Sequence, residues 1–206
     1  MRPMKILIAC ERSGKVRDAF IEQGHDAVSC DLLPSDSDRG PHLQKDVTLV
    51  LREEWDMVIA FPPCTYLCNS GVRWLYTQPD RWRLMHLAAR FFVACLNANA
   101  EKVCVENPIP HQYAMDIIKM EYTQLVQPHQ YGHGETKATC LWLKGFPLLV
   151  PTNKVSGRTA RIHMMAPGPN RSQLRSETYQ GIADAMAIQW GANIKESGTI
   201  GCLKQF

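Results

Sequence analysis

The run Lys5-Ile6-Leu7-Ile8-Ala9-Cys10-Glu11-Arg12-Ser13-Gly14 decides the fold. Its continuous apolar half reads as a buried strand. The polar turn beyond it opens a helix with Val16, Ala19 and Phe20 on one face, and Gly24 stops it. The same alternation recurs downstream. Strands are expected at Lys5–Cys10, Asp26–Asp31, Met57–Phe61, Lys102–Glu106, Gln124–Gln127 and Thr139–Leu143. A long helix is expected from about Thr77 to Asn99. Thr77 and Asp80 form its start signal, and Leu84, Leu87, Ala88, Phe91, Phe92, Cys95 and Leu96 come after at helical spacing. A last helix sets Tyr179, Ile182, Ala183, Met186 and Trp190 on one stripe and ends at Gly191. Strands alternating with helices define an α/β domain on a mostly parallel sheet.

The 206 residues suffice for one full hydrophobic core and are few for two, so a single domain over 1–206 is expected. A composition of 45% hydrophobic and 21% charged residues excludes a disordered or fibrous chain. No apolar run approaches the ~18 residues of a membrane-spanning helix, so no membrane partner is expected. The apolar stretch after Met1 lacks a signal peptide's cleavage pattern. Eight cysteines (10, 30, 64, 68, 95, 104, 140 and 202) contain no C-x-x-C pair and sit mostly in apolar runs. They read as reduced thiols of a cytoplasmic protein. The net charge of +3 permits nucleic-acid contact without demanding it.

Charge is uneven along the chain. Lys154, Arg158, Arg161, Arg171 and Arg175 succeed one another with no acid between them. That stretch also holds Pro151, Pro167, Pro169, Gly157 and Gly168, so residues 151–177 are expected to form a long basic surface loop ahead of the final helix, 178–191.

Ligands of open α/β sheets sit beyond the carboxyl ends of the strands, so the residues just past each strand matter most. The first strand delivers Cys10, Glu11, Ser13 and Gly14, and the second Asp31. The third delivers Pro62-Pro63-Cys64, and the fourth Glu106-Asn107-Pro108. A single glycine in the first turn argues against a dinucleotide fingerprint. Asp31 suits the vicinal hydroxyls of a ribose, and Asp46 an exocyclic amine; the alternatives are a helix cap and a solvated acid. Cys64 sits after two prolines at a strand end, near a helix start and Arg73, where a loop thiol is expected to have a lowered pKa and to act as a nucleophile; the alternative is one more buried structural cysteine. Cys68 lies four residues on, but no His or Cys pair completes a tetrahedral set, so no metal is expected. A carboxyl carried by a buried strand has a raised pKa, so Glu106 can act protonated, as a donor to a ring nitrogen. Trp74, Tyr76, Trp82 and Tyr131 read as core or rim packing rather than base-stacking platforms.

At these residues the sequence resembles the cytosine C5 methyltransferases that use S-adenosylmethionine. Ile8–Gly14, Asp31, Asp46-Val47, Phe61-Pro62-Pro63-Cys64 and Val105-Glu106-Asn107-Pro108 stand in that family's order. Pro62–Gly71 and Gly134–Leu143 are similar to a set of short, mostly phage-borne members, a likeness that covers nearly the whole chain. The resemblance implies a Rossmann-like methyltransferase fold. It implies S-adenosylmethionine held by Cys10, Glu11, Ser13, Gly14, Asp31, Asp46 and Pro62, and catalysis by Cys64, Glu106 and Asn107. Pro63, Lys137, Arg158, Arg161 and Arg171 would meet the substrate. The implied reaction adds the Cys64 thiolate to C6 of cytosine in DNA and transfers a methyl group to C5.

The sequence departs from the family in three places. Pro-Pro-Cys-Thr-Tyr replaces Pro-Cys-Gln, a Gln-x-Arg-x-Arg motif is missing, and the chain has no room for a target-recognition domain. Single-stranded DNA, relaxed specificity, a homodimer or a free cytosine nucleotide therefore stay open as alternatives. So does a phage protein that binds a nucleotide without catalysis. The enzymatic reading requires the Cys64 sulfur and the Glu106 carboxyl to face one shared cavity.

Overall fold

The computed structural model describes residues 2–166, 168 and 171–192; the expectations for Pro167, Pro169 and Cys202 lie outside them. Seven strands make one sheet: β1 Lys5–Ala9, β2 Asp26–Asp31, β3 His42–Gln44, β4 Trp55–Ala60, β5 Ala100–Pro108, β6 Gln124–Val126 and β7 Thr139–Lys144. Their order across the sheet is β3-β2-β1-β4-β5-β7-β6. β1 to β5 run parallel, and β7 is antiparallel to both of its neighbours. The chain winds outward from β1 to β3, then returns to place β4 on the other side of β1. The crevice for a ligand opens at that reversal.

Alternation along the strands separates two cores. Ile6, Ile8, Met57, Ile59, Cys104 and Leu141 pack with Val16, Ala19 and Phe20 of α1 (Lys15–Glu22) and with Ile182, Met186 and Trp190 of α6 (Gln180–Gly191). Leu7, Ala9, Val58, Ala60, Val103, Val105 and Trp142 pack with Ala89 and Phe92 of α2 (Arg81–Leu96). Ala114 and Ile118 of α3 (Gln112–Ile118) close the same core. The central strands are apolar throughout because they are covered on both faces.

Several local expectations need correction. Helix α2 begins at Arg81 rather than near Thr77, and Asp80, in the left-handed region at φ +60°, makes no side-chain cap. Pro79 is the reason: it has no N–H, and it pushes Gln78 off helical geometry. A 3-10 helix, Asn69–Tyr76, precedes this break. The basic stretch is not a bare loop, since it holds α4 (Arg161–Met164) and α5 (Arg171–Ser176). Tyr131 is buried, but Trp74, Tyr76 and Trp82 are exposed. The seven described cysteines are all free thiols, and Cys30, Cys95, Cys104 and Cys140 are buried. Among the described residues, no helix is long and apolar enough to cross a membrane.

Candidate active site

Two prolines end β4 and start the loop that carries Cys64. The Cys64 carbonyl accepts from the Leu67 and Cys68 N–H groups, both at 3.0 Å, so one helical turn stacks the two cysteines on the same side. This turn is strapped to the segment after β5: Asn69 N–H donates to Ile109 O at 2.8 Å and His111 N–H to Leu67 O at 3.0 Å. The Cys64 loop and the end of β5 are therefore one unit.

The Cys64 thiol is held above its ordinary range, rather than below it as expected, by its hydrogen bond to Cys68, then by burial, then by the nearby Glu106 carboxyl; Lys137 opposes these effects. Cys68 moves the other way. The bond from Cys64 lowers it, against burial, and Ser70, the Gly71 N–H and Arg175 help. Its sulfur lies 3.2 Å from the Ser70 hydroxyl. Burial raises the Glu106 carboxyl, and Lys137 again opposes. The Glu106 carboxyl thus acts on Cys64, and one ammonium, Lys137, acts on both. Among the described residues, no hydrogen bond or ion pair engages the Glu106 carboxyl.

Glu106 shares the sheet face of Cys104, and it lines a narrow cavity with Phe61, Lys137, Thr139, Tyr179 and Ile182. The cavity measures ≈ 10 Å³, about the space of one water, so a pyrimidine ring reaches the carboxyl only if the lining moves. Cys64 is not among the residues that line this cavity, so the single cavity shared by its sulfur and the Glu106 carboxyl, which the enzymatic reading requires, is not seen in this structure. Asn107 points to the opposite sheet face and is 1% exposed. Its Nδ2 donates to Pro108 O, and its buried Oδ1 has no partner among the described residues.

The β1–β2 end is arranged differently. Cys10 takes a left-handed conformation at φ 58°. Its thiol is raised by burial and by the charges of Cys95, Asp31, Cys30 and Asp46, so Cys10, Asp31 and Asp46 form one cluster. Asp31 accepts from Leu33 N–H at 2.9 Å, and Asp46 caps the turn Val47–Leu49 through Thr48. Glu11 is committed elsewhere: its carboxylate accepts from the Val16 and Arg17 N–H groups at 2.7 and 3.2 Å and from Ser13 at 3.3 Å. The amino end of α1 is therefore capped from within. Gly14, at φ +74°, is required there, because a Cβ would meet the Arg17 guanidinium at 2.5 Å. Pro62 is buried and Pro63 exposed.

The donor set at this end fits the nucleoside half of S-adenosylmethionine. Asp31 and Asp46 keep acceptor oxygens for hydroxyls and an amine, whereas Glu11 and Ser13 are occupied by the cap.

The basic residues separate into classes. Lys137 stands beside Glu106 and Cys64, and its Nζ donates to Glu177 O at 3.1 Å. Arg161 makes two bonds to Glu135 Oε1, at 3.1 and 3.0 Å, and Tyr179 donates to the other oxygen at 2.7 Å. Its charge, without an acid nearby in sequence, is answered by one from another loop. Arg171 Nε donates to Met165 O at 2.8 Å, and Arg158 is exposed. Sequence reasoning missed Arg175 as a neighbour of Cys68, and it missed Arg17. Arg17 is fully buried, bonded to Asp18 at 2.7 Å, Ser29 at 3.0 Å and Ser35 at 3.2 Å.

No family model and no curated protein matches the sequence. Solved structures do. A protein described as a DNA modification methyltransferase of an E. coli prophage matches at 14% identity and a TM-score of 0.43. The match covers 67% of this chain and 45% of that one. The Entamoeba histolytica methyltransferase EhMeth matches at 14% identity and 0.46, over 75% of this chain and 58% of its own. The S. pombe Dnmt2 methyltransferase matches at 11% and 0.43, over 78% and 54%. This chain thus spans roughly half the length of these structures. Its own strand order, with the reversal between β1 and β4 and an antiparallel β7, is that of a Rossmann-like α/β fold.

Proposed function

We propose that the protein is a single-domain cytoplasmic enzyme that transfers a methyl group from S-adenosylmethionine to C5 of cytosine in DNA. The observation that carries this reading is the strapping of the Cys64 loop to the segment just past Glu106, through Asn69 N–H to Ile109 O at 2.8 Å and His111 N–H to Leu67 O at 3.0 Å, with Lys137 lining the Glu106 cavity. Asp31 and Asp46, gathered around Cys10, would hold the nucleoside of the cofactor. When bound, S-adenosylmethionine supplies an electrophilic methyl group.

Cytosine C5 is a weak carbon nucleophile, which makes a covalent step necessary. The Cys64 thiol passes its proton to the neighbouring Cys68 sulfur, which the bond from Cys64 holds low, and adds to C6; the C5–C6 double bond opens and C5 becomes electron-rich. Glu106 is kept protonated by burial and donates to N3, which absorbs the developing charge. A protonated Glu106 also removes the negative charge that opposes a Cys64 thiolate, so the two groups support each other only in that combination. Asn107, through its Nδ2 bond to Pro108 O, would order the turn 106–108. Loss of the C5 proton to solvent water then restores the C5–C6 double bond and expels the Cys64 thiolate, and N3 returns its proton to Glu106. A base in duplex DNA must first leave the stack.

The test is incubation with S-adenosylmethionine and DNA containing 5-fluorocytosine, read by mass spectrometry. A stable adduct at Cys64, absent in Cys64→Ala, is expected. Methylation that survives in Cys64→Ala would overturn the mechanism, and label entering dCMP but not DNA would move the substrate to the free nucleotide.

A further inference from the structure

The 3-10 helix Asn69–Tyr76 and the first turns of α2 and α3 leave large rings at the surface. Trp74, Tyr76, Trp82 and Tyr113 are 36%, 65%, 39% and 38% exposed. Three of them form a closed group. Trp82 and Tyr113 meet edge to face at 5.1 Å, Tyr76 and Trp82 at 5.9 Å, and Tyr76 and Tyr113 at 6.3 Å; the two phenol hydroxyls are hydrogen-bonded. Such contacts hold the rings in place without burying them.

Arginines are interleaved with these rings. Arg73 lies 4.3 Å over Trp74, and Arg81 lies 4.5 Å over Tyr66 while donating to Thr65 O at 2.8 Å. Residues 61–100 carry Arg73, Arg81, Arg83 and Arg90 against the single acid Asp80. Their net charge, 4 − 1 = +3, equals that of the whole chain. This surface also joins the Cys64 loop directly. His111 accepts from Ala114 N–H through Nδ1, so its Nε2 donates to Tyr66 O at 3.0 Å, and its ring stands 6.0 Å from Tyr113.

We propose that Trp74, Tyr76, Trp82 and Tyr113, with Arg73 beside them and Arg83 next to Trp82 in the chain, bind single-stranded DNA and lead it to the Cys64 loop. Arg83 is paired at the surface with Asp80 at 3.5 Å. Rings at partial exposure stack on bases that have already left a duplex, and the arginines meet phosphates. A duplex keeps its base faces covered, so it offers nothing for the rings. The choice of DNA rests on the cytosine reading above; the ring surface itself does not depend on catalysis.

The experiment titrates tryptophan fluorescence of the full chain, without cofactor, with an oligothymidylate of about twelve nucleotides. Equal lengths of duplex DNA and oligouridylate are run in parallel. Quenching by the single DNA strand is expected, with weaker binding of both competitors. Tyr76→Ala is the most exposed ring change and is expected to weaken binding about tenfold. Arg73→Gln is expected to lower the slope of log affinity against log salt by about 0.7. Circular dichroism checks that each variant is folded, and Trp74→Phe, which keeps a ring, is expected to bind nearly as wild type. Three results would overturn the proposal: unchanged fluorescence, equal affinity of folded Tyr76→Ala, or duplex or RNA binding as tight as single-stranded DNA. Because no cofactor is present, none of these depends on methyl transfer, and methylation of dCMP would survive them all.

Discussion

The network around Arg17 and the group around Cys64 occupy different parts of the same molecule, and they treat polar groups in opposite ways. Around Arg17 the bonds largely close on themselves, although Nε of the neighbouring Arg12, whose carbonyl accepts from Ser35, is buried without a partner among the described residues. The Arg17 guanidinium meets Asp18, Ser29, Ser35 and Ser37 O, and Asp18 also accepts from Ser37 at 2.7 Å. Ser29 is 2.8 Å from His42, whose other nitrogen donates to Leu33 O. Around Cys64 the bonds stay open: among the described residues Glu106 has no hydrogen-bond partner, and Asn107 Oδ1 is buried without one. Buried polar groups are normally satisfied. A saturated network therefore marks a place where the chain fixes its own shape, and an unsaturated one marks a place kept for something else.

The largest test of this contrast falls on the closed side. Asp18→Ala leaves the Arg17 charge buried without a carboxylate, at an expected cost of about 3–5 kcal/mol in urea unfolding. Replacing both partners, with Arg17→Met and Asp18→Ala together, should recover most of that loss. A cost below about 1 kcal/mol for the single change would mean the network does not hold the segment 32–40.

A smaller and sharper test compares two carboxyls that burial raises alike, Glu11 and Glu106. Glu11→Gln keeps one acceptor but loses the charge-assisted cap on α1, an expected loss of about 1–2 kcal/mol. Glu106→Gln loses no hydrogen bond and should stabilise the fold at neutral pH. A raised folded-state pKa means the folded chain holds a proton that the unfolded chain has released. The Glu106 contribution to stability is thus complete below the unfolded value of 4.5 and fades as pH rises through the folded one. Glu106→Gln and wild type should melt together near about pH 4 and diverge in favour of the variant toward about pH 8. Destabilisation by Glu106→Gln at neutral pH would mean that the carboxyl has a structural duty after all. Adduct formation at Cys64 should fall about 100-fold or more, since a general acid is removed.

The closed network was the harder of the two to read from sequence. An arginine at the third position of a helix looks solvent-facing, and nothing local announces that Ser29, Ser35 and Ser37 surround it. The open site was far more legible, because Cys64 and Glu106 each come at the end of an apolar run and strand ends converge. Cys68 lay in view, but the approach of Arg175 depends on how the basic stretch folds back. Strand β3 escaped because His-Leu-Gln is too short and too exposed to carry a period. The aromatic residues read as core or rim packing divide that way: Tyr131 lies in the core, and Trp74, Tyr76 and Trp82 lie exposed on the 3-10 turn and just past the break at Pro79.

The smallest expected effect on stability belongs to Lys137, and it is the one that bears most directly on why the site is open. Its ammonium makes one bond, to Glu177 O, so Lys137→Met should cost no more than about 1 kcal/mol. Its chemical effect reaches further, because Lys137 lowers both Cys64 and Glu106. Without it both groups hold their protons to higher pH. At a fixed neutral pH the thiolate fraction falls, and so should the rate of Cys64 adduct formation or of alkylation by iodoacetamide. As pH rises the thiolate returns while Glu106 stays protonated longer, so the rate profile should keep its shape and move as a whole to higher pH. Lys137→Arg keeps the charge and should hold the profile near wild type. A Lys137→Met profile that loses height without moving would assign the lysine to substrate contact rather than to the pairing of sulfur and carboxyl.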